Sequence, residues 1–96
     1  MKQNITKPSP NQPQKIQSTK ALGELIRAHR KAQNLTLAQI SGISGLGMRF
    51  ISELERGKET AELGKTLILL NNLGIELIMQ PRRYRSASFD KTKVNK

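Results

Sequence analysis

His29 is the single histidine of this sequence, cysteine is absent, and the carboxylates Glu24, Glu53, Glu55, Glu59, Glu62, Glu76 and Asp90 are scattered along the chain. Nucleophilic or metal-assisted chemistry needs several such groups converging on one point. His29 instead falls on an apolar stripe, where a partly buried structural role is the economical reading. Gly42, Gly45 and Gly47 lie close together, but no Gly-Lys-Ser/Thr follows them, so they do not make a phosphate-cradling loop. We therefore expect no enzyme activity, no metal and no cofactor. The side chains left are hydrogen-bonding and cationic. Arg49 can fork onto the O6 and N7 of a guanine, Ser52 follows it by three residues, and Met48 can meet a thymine methyl. Arg27, Arg30, Lys31 and Lys58 could grip phosphate. Each has a plainer alternative, a solvated cation on a polar face.

Such side chains read a duplex only if a short helix presents them. Leu46, Phe50, Ile51 and Leu54 have helical spacing up to Gly57, which places Gly47, Met48, Arg49, Ser52 and Glu53 on the opposite, exposed side. Thr36 suits the N-cap of a preceding short helix holding Leu37 and Ile40. The run 41–47 is too rich in glycine to continue that helix, and Gly45 is the expected residue of positive φ in the turn. Two short helices joined by a glycine turn make a helix-turn-helix, with Ile40, Leu46, Ile51 and Leu54 locking its angle. Before it, Leu22, Leu25, Ile26 and His29 line one face of a helix over 19–33, capped by Ser18 or Thr19 and closed by Asn34. After it, Leu63, Leu67, Leu70 and Leu73 stripe a helix over 62–73, with Ile68 and Leu69 broadening the apolar face. Residues 75–80 then read as a short strand between Gly74 and Pro81, with no partner strand elsewhere in the chain. A twin strand from a second copy would pair it, so Ile75, Leu77, Ile78 and Met79 are the expected dimerisation residues.

The formal charge is +10 over 96 residues, and most of the excess sits at the two ends. Residues 1–18 carry Lys2, Lys7 and Lys15 with no acid, and Pro8, Pro10 and Pro13 among polar residues, which reads as a disordered basic tail. Residues 81–96 carry six basic residues against Asp90, with Tyr84, Phe89 and Val94 isolated among them, a second basic tail. Basic tails suit a polyanion partner, although they also serve simple solubility. The longest strongly apolar run, Thr66 to Leu70, falls far short of the roughly 20 residues that cross a bilayer. No secretory signal is evident, so a cytoplasmic, nucleoid-associated protein without membrane contact is expected.

The stretch Leu35-Thr36-Leu37-Ala38-Gln39-Ile40, Gly45, and then Ile51-Ser52-Glu53-Leu54-Glu55-Arg56-Gly57 resembles the Cro/repressor-type (XRE) helix-turn-helix family across roughly residues 22–75. The short strand after the fourth helix is similar to that of the HipB-type antitoxins within it. The resemblance implies a mostly α, lambda-repressor-like helical bundle (residues 19–80) with a C-terminal strand paired across a homodimer. It implies a transcriptional repressor of an inverted-repeat operator in double-stranded DNA. A HipA-like kinase toxin would be a further partner, and a stand-alone phage- or plasmid-type regulator is the alternative. It also implies a structural role for Glu55 and Arg56. Departures fall at the interface. Leu37 and Ala38 replace the usual Gln and Glu, which leaves Gln39 as the substitute for a phosphate contact. Ser41 replaces Ala, and Gly47 replaces the Ser that caps the recognition helix.

Overall fold

Local hydrogen-bonding rules set the elements. The computed structural model describes residues 12–82, which fold into α1 (Thr19–Ala32), α2 (Leu37–Ser44), α3 (Met48–Glu55) and α4 (Leu63–Asn72). The expectations for residues 1–11 and for residues 83–96, including Tyr84, Phe89 and Val94, lie outside the described residues. Ser18 caps α1 by accepting from the Ala21 backbone N–H at 3.0 Å. Thr36 and Gln39 form a reciprocal capping box at the start of α2, with bonds of 3.0 and 2.8 Å. At the other ends, Asn34, Gly57 and Gly74 each adopt positive φ just beyond a helix. The next residue's N–H then returns to the last turn: Leu35 to the Arg30 carbonyl, Lys58 to Glu53 and Ile75 to Leu70.

α2 runs further than its composition suggests, through Gly42 to Ser44. The glycine cost of roughly 1 kcal/mol is offset by hydroxyls that brace the turn. Ser44 Oγ donates to the Ile40 carbonyl at 2.7 Å and accepts from the Leu46 N–H at 3.2 Å, while Ser41 Oγ donates to the Leu46 carbonyl at 2.6 Å. Gly45 takes φ +79° and turns the chain, and Leu46 drops into the core ahead of α3. Ser41→Ala should therefore destabilise the domain by about 1 kcal/mol in urea titration, because it leaves the Leu46 carbonyl without this donor.

Ile26, Ile40, Leu46, Ile51, Leu54, Leu69, Leu70 and Leu73 form the core, joining all four helices. α3 packs against both α1 and α2, and α4 packs against α2. α1 approaches α3 closely at Gly23, where a Cβ would overlap the carbonyl oxygens of Leu54 and Glu55. Thr19 Oγ1 donates to the Gly57 carbonyl at 2.9 Å, fastening the start of α1 to the end of α3. Gln33 Nε2 donates to the Leu73 carbonyl at 2.8 Å and ties α1 to α4.

Two expectations need correction, and a third finds no support within a single chain. Arg30 is buried rather than on a solvent face, forming a bidentate pair with the equally buried Glu55 at 2.7 and 3.0 Å. On α4 the buried face is Thr66, Leu69, Leu70 and Leu73, while Leu63 and Leu67 are exposed together with Ile68. The apolar face is broader than the part that packs, so spacing alone does not fix which of its residues are buried. Finally, residues 75–80 form no strand among the described residues. A strand exists only as half of a ladder, and no described segment supplies the other half. Ile75 packs against the core, whereas Leu77, Ile78 and Met79 are exposed.

Candidate nucleic-acid interface

α3 has two dissimilar sides. Ile51, Leu54 and Glu55 point into the domain, and Met48 and Arg49 point out, with Ser52 and Glu53 half buried at the edge. Gly47 is the N-cap and supplies no side-chain bond, so the first N–H groups of α3 keep their hydrogen-bonding capacity. Phe50 does not join the exposed side. It packs against the core, with Lys65 Nζ 5.8 Å from its ring centroid.

Arg49 is 90% exposed, and its Nε donates to Glu53 Oε2 at 3.3 Å. The other carboxylate oxygen, Glu53 Oε1, accepts from Lys58 Nζ at 3.0 Å. Lys58 and Arg49 together hold the Glu53 carboxyl below the usual carboxylate range. Ser52 Oγ accepts from Arg56 Nη1 at 2.6 Å, which leaves the hydroxyl proton as its free donor. Met48, Arg49, Ser52 and Lys58 thus lie on or beside one helix face. Glu53 and Arg56 organise that face; the resemblance implies a structural role for Arg56 but none for Glu53, although the i, i+4 spacing of 49 with 53 points to one.

The remaining expected contacts are placed differently. Gln39 is exposed at the start of α2, but its Oε1 accepts from the Thr36 N–H, so only its amide NH2 is available to an anion. Arg27 is half exposed and stands 4.0 Å from Glu55, with no bond to the Met48–Ser52 face among the described residues. Arg30 is removed from any surface role. Glu55 raises its pKa further, and its Nη1 donates to the Leu35 carbonyl at 2.8 Å.

This two-sided short helix behind a glycine turn has a counterpart among known proteins. A helix-turn-helix (HTH)-type transcriptional regulator of Sinorhizobium fredii, itself uncharacterized, is 42% identical over 72 residues, covering 74% of this chain and 95% of the relative. The chain belongs to the HTH-type transcriptional regulators. A second uncharacterized regulator of the same organism is 30% identical over 69 residues, and the regulator described here spans 35% of that longer protein. No family model matches the regulator. Among solved structures, a HipA–HipB–O2–O3 complex aligns with TM-score 0.68 and a HipB–O4 20mer complex with TM-score 0.67. Both are 20% identical, covering 73% of the regulator and 99% of the solved chain. At that identity the likeness establishes a shared fold. No helix among the regulator's described residues is long and apolar enough to cross a membrane.

Proposed function

We propose that the chain is a homodimeric, XRE-type repressor that binds an inverted-repeat operator, each copy laying α3 in one major-groove segment. The observation that carries the reading is the α3 surface: Arg49 stands clear of the fold with half-exposed Met48 beside it, while Ile51, Leu54 and Glu55 fix the helix beneath them. Two-fold symmetry would set the half-sites about 34–36 Å apart. Exposed Leu77, Ile78 and Met79, with Leu63, Leu67 and Ile68 on α4, offer apolar area for pairing with a second copy. In the dimer, residues 75–80 would find the ladder that one chain cannot supply.

The same fold occurs in HipB in its complex with HipA, which favours an antitoxin that restrains a HipA-like kinase and represses its own operon. The alternative is a regulator without a toxin. Titration of the DNA upstream of its own reading frame, by fluorescence anisotropy with a scrambled control, tests the DNA reading. Affinity should fall on the order of a thousandfold as salt rises from about 50 to 200 mM, through counterion release by several phosphate contacts. Equal binding to both DNAs would remove the operator claim, and binding to neither would remove the DNA role. A monomer in sedimentation would remove the dimer. Co-purification with a kinase encoded beside it separates antitoxin from stand-alone regulator.

A further inference from the structure

The proposed DNA face contains an acid. Glu53 lies one turn beyond Arg49, where a carboxylate repels phosphate and lowers affinity for any duplex. Its surroundings give that acid a use. Arg49 has no other bonded partner among the described residues, and a free arginine side chain samples many rotamers. Glu53 takes the Nε edge of the guanidinium and leaves both Nη groups, one edge of the donor fork that matches guanine O6 and N7. Lys58, beyond the end of α3, holds the other oxygen of Glu53 and neutralises its charge. The carboxylate is only 26% exposed, against 90% for Arg49, so the anchored member of the pair is the acid.

We infer that Glu53 is a positioning residue that orients the Arg49 guanidinium for its base contact, with Lys58 anchoring Glu53. The inference rests on the DNA-binding reading above. An arginine preceding its acid at i, i+4 is the weaker order of such pairs. Arg49 is therefore preset yet able to tilt as the groove closes on it. Lys58 acts through Glu53 rather than as a free phosphate grip.

Three roles for Glu53 give different results. A merely structural bridge would change stability and leave sequence preference alone. A merely repulsive acid, once neutralised, would raise affinity for every duplex equally. A positioning residue separates the two quantities. The test incubates the full-length wild-type chain, Glu53→Gln and Glu53→Asp with a randomised duplex pool, then titrates each with the duplex the wild type enriches most and with a shuffled duplex. Glu53→Gln should bind the shuffled duplex at least as tightly as wild type, while its ratio of selected to shuffled affinity falls about tenfold. Glu53→Asp, which keeps the charge on a shorter arm, should fall between. An unchanged ratio, or an equal loss on both duplexes, would overturn the positioning role. If the wild type retains no duplex from the pool, the DNA-binding reading fails first, and that result is visible without any variant.

Discussion

Glu55→Ala should cost about 3–5 kcal/mol of folding free energy, a large share of the total for a domain of this size, at about 0.05–0.15 kcal/mol per residue. The size follows from what stays behind. Arg30 is 7% exposed, its Nε and Nη2 are directed at Glu55, and only Nη1 has another acceptor, the Leu35 carbonyl. Without Glu55 the guanidinium remains buried with two donor groups unpaired and no counter-charge, since Arg27 on the same side is a cation too. The pair also spans α1 and the end of α3, so its loss loosens the contact that orients α3. Urea titration by circular dichroism measures the effect. The control is the double variant Arg30→Met with Glu55→Leu, which removes both charges and should recover most of the stability, because an apolar pair in that place escapes desolvation. A loss below about 1 kcal/mol for Glu55→Ala would place the pair in the class of solvent-screened surface bridges.

The same pair marks the boundary of what the sequence reveals. Features decided within a few residues are legible: a cap at Ser18 or Thr19 and one at Thr36, helix ends at Asn34 and Gly57, the positive φ of Gly45, and the spacing along α3 that separates Ile51 and Leu54 from Met48 and Arg49. Each depends on hydrogen bonds or side-chain periodicity inside a single element. The burial of Arg30 depends on Glu55, 25 residues away, which no local rule connects to it. The packed face of α4 is hidden for a related reason. With leucine or isoleucine at 63, 67, 68, 69, 70 and 73, the apolar face is wider than one contact can cover, and the part of it that packs is decided by the helices it meets. Residues 75–80 are the extreme case, since strand pairing needs a second strand that this chain does not contain among its described residues. The candidate interface follows the same division. Arg49 and Met48 could be placed by periodicity, whereas the Lys58–Glu53–Arg49 chain that shapes the surface needed the turn after α3 in three dimensions.

Arg49→Ala should abolish sequence preference while leaving the fold intact. At 90% exposure, with one solvent-facing partner, its removal should change stability by no more than about 0.5 kcal/mol. On DNA the loss is different in kind. A guanidinium fork on guanine discriminates by about 1–3 kcal/mol, and a dimer uses it twice, so operator affinity should drop on the order of a hundredfold or more. Affinity for shuffled duplex should fall only slightly, by the loss of one cation per copy, leaving the acid of Glu53 still neutralised by Lys58. Arg49→Lys separates charge from geometry. Lysine keeps the cation, and hence the salt dependence of binding, but presents no planar fork, and its shorter reach to Glu53 removes the preset orientation. The lysine variant should therefore resemble wild type on shuffled duplex and the alanine variant on the operator. If lysine instead preserved the preference, Arg49 would be contacting phosphate, and base reading would pass to Met48, Ser52 or the exposed N–H groups at the start of α3.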